Sequence, residues 1–184
     1  MKQIRMILLL MIVAKIGYAQ SPKEISDSDL VRYKQEILQN ALTLKQELLK
    51  KDYLSEFEKQ IIIDFKIDTY LIEELLSKRI SVDYSTAGMT NATYDAEVEY
   101  DKLLNKYFQL LLKKLKDSDK EILKQTQRNW IQYRDSERKL NIIISKDEYS
   151  GGGTIQSNIV AGGYLEITKK RVIELYDYLT RFNE

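Results

Sequence analysis

The feature that most restricts the fold of this chain is its shortage of helix breakers: one proline, Pro22, and seven glycines in 184 residues. Proline and glycine end or interrupt helices, so their scarcity favours long, uninterrupted helices. Apolar residues recur at helical spacing, as at Leu30, Ile37 and Leu44, which lie seven residues apart. The sequence therefore predicts an all-α fold, a helical bundle of about five helices.

Short polar breaks separate the predicted helices. The expected segments are about 30–48, 53–78, 90–116, 118–144 and 154–182. A loop is expected at 80–88, and Ser118 and Glu121 form a Ser-x-x-Glu pattern that predicts a capping box at the start of the fourth helix. Gly162 and Gly163 fall inside the last helix, where each glycine costs about 1 kcal/mol relative to alanine. This pair predicts either a close approach of another helix or a break.

The first twenty residues have the pattern of a secretory signal peptide. Two basic residues precede an apolar run at 6–14, and small residues one and three positions before Gln20 offer a cleavage site. The run is too short to span a bilayer, and Lys15 interrupts it. We therefore expect residues 1–19 to be removed, the protein to be periplasmic or secreted, and no membrane span to remain.

Composition excludes several kinds of chemistry. The chain has no cysteine and no histidine, which removes disulfides, thiolate nucleophiles, Cys/His zinc sites and histidine-based triads. No Asp-x-Asp-x-Asp-Gly loop is present, so neither a metal nor a cofactor is predicted. Loss of the three leader bases changes the formal charge from +1 to −2, which provides no electrostatic footprint for nucleic acid. Without disulfides, we expect stability to come from packing alone; the oligomeric state stays open.

One string of residues is too specific for an ordinary amphipathic helix. Gln127, Trp130 and Arg134 lie three and four residues apart and share one helix face with Ile131. A buried arginine requires a carboxylate with bidentate geometry, because an unpaired buried charge is very costly. Asp101 on the preceding helix is the expected partner, with Asn105 one turn later as a further hydrogen-bonding group.

This string and several other short motifs, taken in order, resemble the LprI-type lysozyme-inhibitor family over about residues 85–179. The residues that carry the resemblance are Met89, Asp101, Leu104, Asn105, Tyr107, Gln127, Arg128, Trp130, Ile131, Tyr133, Arg134, Asp135, Gly152, Gly153, Thr168 and Arg171. The resemblance implies an exported, non-enzymatic helical protein that binds and blocks lysozyme and so protects the cell wall. It also divides the chain into a two-helix extension at 20–80 and an LprI-like helical domain at 85–184.

Three departures from the family pattern concern cysteine. Where the family commonly has cysteines, this chain has Ala92, Arg138 and Gly163. The resemblance therefore implies that a disulfide staple is absent here and that packing alone holds these positions. Gly163 is expected to be a small residue at a close contact between helices.

The motif residues and the partner contact are expected to be different parts of the molecule. Buried aromatic and arginine groups with partners are ordinary core chemistry, so we interpret the motif, including Tyr133, as structural. Loops on a rigid scaffold commonly carry binding, which favours the glycine-rich segment 147–156 as the lysozyme contact. The residues predicted to make this contact are Tyr149, Ser150, Gly151, Gly152, Gly153 and Thr154.

Two other functions remain open from the residues alone. The chain could be a structural or adaptor helical module of the bacterial envelope, with segment 20–80 facing a partner. A glycan hydrolase would need two carboxylates about 5–9.5 Å apart in a cleft, and spacing singles out no such pair.

Overall fold

The computed structural model describes residues 21–52 and 55–182; the predicted signal peptide lies outside these residues. The described residues form six helices and no strand, which confirms the all-α prediction. The helices are α1 (Asp27–Leu48), α2 (Glu56–Val82), α3 (Thr86–Lys114), α4 (Asp117–Ile144), α5 (Asp147–Ser150) and α6 (Ile155–Leu179). The helix beyond the five expected from the sequence is α5, a single turn inside the segment that was expected to be a loop.

Serine side chains begin the first three helices. In each case the hydroxyl accepts a hydrogen bond from a backbone N–H in the first turn, which stabilises a helix by about 1 kcal/mol. These serines are Ser26, Ser55 and Ser85. The turn between α2 and α3 is therefore short, and the loop predicted at 80–88 is wrong, because α2 continues to Val82 and Ser85 already caps α3.

The capping box predicted at Ser118 is also wrong. The N-cap of helix α4 is Lys116, two residues earlier, and its side chain makes no capping hydrogen bond. The Ser118 hydroxyl instead donates to the Asp119 carboxylate at 3.0 Å. The Ser-x-x-Glu pattern fits many surface turns, and here the acids of the first turn favour the helix start through its dipole.

Helices α3 and α6 run parallel and form the centre of the bundle. Thr90 and Ser157, near their starts, share a hydrogen bond of 3.0 Å, and the rings of Tyr107 and Tyr176, near their ends, lie 6.4 Å apart. The core between the helices is large and apolar. Its buried members are Ile61, Ile72, Ala96, Tyr100, Leu104, Tyr107, Leu111, Leu123, Val172, Leu175 and Leu179.

The other long helices run antiparallel to their neighbours. Helix α2 packs on α3, where Arg79 pairs with Asp95, and helix α4 packs on α6, where Gln127 meets Arg171. Helix α1 packs on α2 through a buried stripe that includes Tyr33 and thus covers the side of α2. Among the described residues, no helix is long and apolar enough to cross a membrane.

Candidate functional site

The predicted pair between Arg134 and Asp101 forms, but with weaker geometry than expected. Arg134 Nη1 lies 3.6 Å from Asp101 Oδ1, and the Arg134 side chain is 19% exposed. Its Nε donates at 3.0 Å to Asp135, the next residue in the chain, so the bidentate contact with Asp101 is not made. Trp130 supports the guanidinium, whose central carbon lies 5.3 Å from the ring centroid. This pair joins α4 to α3 at the edge of the bundle.

The most deeply buried charge of the motif is Arg171 on α6, which is 4% exposed. Its Nε donates to Gln127 Oε1 at 3.1 Å, and its Nη1 donates to Glu174 Oε2 at 2.8 Å. The ring of Trp130 lies 6.0 Å from the guanidinium carbon. Gln127 is itself buried, and its hydrogen bond with Arg171 fastens α4 to α6. Arg171 Nη2 is buried and has no hydrogen-bond partner among the described residues.

A second polar network joins three helices around Arg138. The Arg138 guanidinium donates to Glu97 on α3, and the Thr168 hydroxyl on α6 donates to the same carboxylate at 2.9 Å. Tyr164 lies beside Arg138, with its ring centroid 4.7 Å from the guanidinium carbon. The expectation that packing alone holds this position is wrong: where the family commonly has a cysteine, a charge-assisted hydrogen bond links α4 to α3.

Sequence reasoning missed the role of Glu97. This carboxylate lies three and seven residues before Tyr100 and Leu104, so it is an acid on the buried stripe of α3. An acid on an apolar stripe requires a cationic or hydroxyl partner, so its position on the stripe was the signal in the sequence for a buried polar contact. The partners themselves come from α4 and α6, which lie far away in the chain.

The other motif residues divide between the core and the surface. Leu104 and Tyr107 are buried, and Asn105 donates to the Asp101 carbonyl at 3.0 Å. Arg128 lies on the surface and binds Glu121 of its own helix at 2.7 Å. The interpretation of Tyr133 as a core residue is wrong, because 55% of it is exposed. Its neighbours one turn away on α4 are Asn129, which is exposed, and Glu137, which is half-buried.

Two tyrosines of α3 fasten this helix to α2. The Tyr107 hydroxyl donates to Asp68 at 2.9 Å, and the Tyr100 hydroxyl donates to Glu73, which also binds Lys169 of α6. Burial, reinforced by the acceptor carboxylates, raises the pKa of both phenols far above the ordinary value. Burial alone would raise the pKa of Glu73, but the hydrogen bonds from Lys169 and Tyr100 outweigh it and lower that pKa.

The other two positions where the family commonly has a cysteine, Ala92 and Gly163, are held by close packing. Ala92 is 1% exposed. A Cβ on Gly163 would lie 2.1 Å from the Asn141 amide nitrogen of α4, so a larger residue meets this side chain. This confirms the expected close contact, and α6 continues through Gly162 and Gly163 without a break.

The glycine-rich segment after α4 is more ordered than a simple loop. Helix α5 ends at Ser150 with Gly151 as its C-cap, and Gly151, Gly152 and Gly153 have φ angles of 74°, 74° and 92°. This left-handed backbone is open to glycine and strained for other residues. Ser150 is structural rather than presented outward, since its hydroxyl donates to the Ser145 carbonyl at 3.0 Å and accepts from Gly152 N–H.

Large apolar side chains are exposed on both sides of this segment. We call them the tip surface: Leu140, Ile142, Ile143, Ile144, Tyr149, Ile155 and Ile159, which are between 44% and 64% exposed. Tyr149 is the most exposed of them, and Gly151, Gly153 and Thr154 are exposed beside it. Exposed large apolar side chains that cluster in one part of the chain are a common feature of interaction sites. Within the described ranges, no cluster of acidic side chains could hold a metal ion.

Comparison with protein families matches residues 79–175 to the family described as "Lysozyme inhibitor LprI". The matched segment is just over half of the 184-residue chain. The chain belongs to the LprI lysozyme-inhibitor family. No curated protein and no solved structure matches it.

The LprI match covers α3, α4, α5 and most of α6, so it contains both the motif residues and the tip surface. Helix α1 and all but the last turn of α2 lie outside it. The polar networks and the tip surface therefore belong to the same LprI segment, although the networks are largely buried and the tip surface is exposed to solvent.

Proposed function

We propose that this protein is an exported, non-enzymatic lysozyme inhibitor that binds its target through the tip surface. Membership in the LprI family supports lysozyme as the partner. The observation that carries the location is the exposure of the tip surface within the family-matched segment. Arg171 of the motif and Arg138, by contrast, donate hydrogen bonds to neighbours within the bundle.

The tip is suited to binding because it is both apolar and preorganised. Tyr149 is 64% exposed at the end of a helical turn that hydrogen bonds of Ser150 hold in place. Tyrosine is a frequent anchor in interfaces, since it buries a large ring at low entropic cost. A formal charge of −2 after leader removal gives little long-range attraction, so the apolar contact has to provide the affinity.

The test is a titration of the purified protein against several lysozyme types, with cell-wall lysis as the readout. The wild-type protein inhibits at least one type. Tyr149→Ala weakens that inhibition by about tenfold or more, because truncation of an aromatic anchor costs roughly 2 kcal/mol of binding energy. Tyr178→Ala, a matched control at the far end of α6 with 37% exposure, leaves inhibition unchanged.

Tyr133→Ala discriminates between the tip and the motif helix. If this variant loses inhibition while Tyr149→Ala retains it, the contact lies on the exposed face of α4 and the tip assignment is wrong. Substitution of the three glycines by alanine is a poorer test, because all three have positive φ angles and the change strains the backbone itself.

The structural or adaptor role remains a second candidate because α1 also exposes apolar residues. Val31, Leu38 and Leu42 are 47–55% exposed on a helix outside the family match. A wild-type protein that inhibits no lysozyme type but copurifies with an envelope protein would favour this role.

A further inference from the structure

Helix α1 has two apolar stripes, of which one is used inside the bundle. Its buried stripe faces α2 and consists of Tyr33, Ile37, Ala41 and Leu48. Its second stripe, which we call the outer stripe, consists of Val31, Leu38, Leu42 and the C-cap residue Leu49, with exposures of 55%, 47%, 48% and 41%. Successive members are seven, four and seven residues apart, which places them on one helix face in coiled-coil register, with the polar residues Gln35 and Lys45 at the intervening seam positions. A seam of this kind is built for another helix.

The order of residues along the outer stripe is self-complementary. When a second α1 is placed antiparallel with the two-fold axis at position 40, Val31 lies opposite Leu49 of the second copy. Leu38 then lies opposite Leu42 of the second copy, and each of these pairs occurs twice. An isologous interface requires this property, because the same surface has to match itself after a two-fold rotation.

Charges in the same arrangement are compatible with the pairing. The polar residue Gln35 lies opposite Lys45 of the second copy, and Lys34 lies opposite Gln46 of the second copy. Neither of these two pairs joins like charges. A parallel arrangement would place Lys45 opposite its own copy, which repels.

A groove beside the outer stripe adds to the surface that a second helix can bury. It has a volume of about 540 Å³ and lies between α1, α2 and α3. Leu38 belongs to both the stripe and the groove, Leu71 and Leu75 of α2 line it, and Val98 of α3 is 51% exposed at its side. The charged pair at its rim, Arg79 with Asp95, is already satisfied within one chain at 2.5 Å.

We propose that α1 is a dimerisation helix, through which two copies of this chain associate by antiparallel packing of their outer stripes. The leucines at 38 and 42 form the centre of the interface and cover the groove of the facing copy. This assigns a purpose to a helix that lies outside the family match and does not depend on lysozyme binding.

The test measures the mass of the purified protein by light scattering over a series of concentrations. The wild-type protein has the mass of two chains at the higher concentrations. Leu38→Glu and Leu42→Lys each give the mass of one chain, with the affinity of the dimer weakened on the order of 100-fold because unpaired charges would be buried. An equal mixture of the two variants restores the two-chain mass, since the introduced carboxylate of one copy faces the introduced ammonium of the other.

Control variants distinguish loss of this interface from loss of folding. Ile122→Glu, at a position on α4 that is 72% exposed, leaves the mass unchanged. Circular dichroism checks that each variant is helical, and Leu49→Glu replaces a variant that does not fold. A wild-type protein of one-chain mass at every concentration, a dimer that survives the single variants, or a mixture that stays at one-chain mass would each overturn the proposal. A protein that is a monomer by itself and forms a complex only with a different envelope protein would likewise overturn the proposal.

Discussion

Two regions of the family-matched segment use their residues in opposite ways. At the junction of α3, α4 and α6, charged residues are buried and partnered, as with Arg171 on Gln127 and Arg138 on Glu97. At the tip surface, apolar residues such as Tyr149 and Ile155 are exposed. The charged residues of the junction hold helices together, whereas we propose that ordinary apolar residues of the tip surface make the binding contact. Substitutions at the junction can therefore be expected to change stability without changing binding.

The largest effect is expected at the junction, from Glu97→Ala. Removal of this carboxylate leaves the Arg138 guanidinium without its charged partner in a mostly buried position, with the Arg138 side chain 22% exposed. Breaking a buried pair on one side costs about 3 kcal/mol. Chemical denaturation should show this loss in the free energy of unfolding.

Glu99→Ala is the matched control on the same helix. Glu99 is half-exposed and pairs with Lys102 one turn away, so its loss should change stability by less than about 0.5 kcal/mol. Equal destabilisation by the two variants would mean that the buried pair has no special role.

A smaller effect is expected from Thr168→Val, which removes one hydroxyl at nearly constant volume. Thr168 is fully buried and donates to Glu97, so the loss of this hydrogen bond should cost about 1–2 kcal/mol. Inhibition of lysozyme by the folded variant should be unchanged, because we propose that lysozyme binds at the tip surface and not at the junction. A folded variant with weakened inhibition would contradict the separation of the two regions.

The sequence predicted the helix faces well and their partners poorly. The apolar periodicity was sufficient for the long helices, and the need of a buried arginine for a carboxylate led to the correct partner of Arg134, Asp101. The same reasoning missed the Glu97–Arg138 pair and the burial of Arg171, because these depend on which helices meet. Tyr133 was misplaced because helical periodicity gives relative faces and not which face the bundle covers.

Alkaline pH should weaken the fold through Tyr100. Burial and the Glu73 carboxylate raise the pKa of this phenol above its ordinary value of 10.0. Above pH 10 the unfolded chain loses the proton while the folded chain keeps it, so the free energy of unfolding falls as pH rises. Tyr100→Phe should reduce the slope of stability against pH in this range; an unchanged slope would contradict the assignment.

The smallest effect is expected from the two glycines of α6. Gly162→Ala should stabilise the protein by up to about 1 kcal/mol, since its Cβ would meet nothing within 4 Å. Gly163→Ala should gain less or lose stability, because Asn141 has to move. Thermal denaturation of the pair compares them directly, and an equal gain would show that the contact with α4 is loose.

The contrast between junction and tip is tested most directly by hydrogen exchange of the protein alone and with a bound lysozyme. We predict that bound lysozyme slows exchange at residues 142–159, around the tip surface, and leaves residues 127–135 of α4 unchanged. Slower exchange at 127–135 with an unchanged tip would contradict this prediction and would make the motif helix the contact.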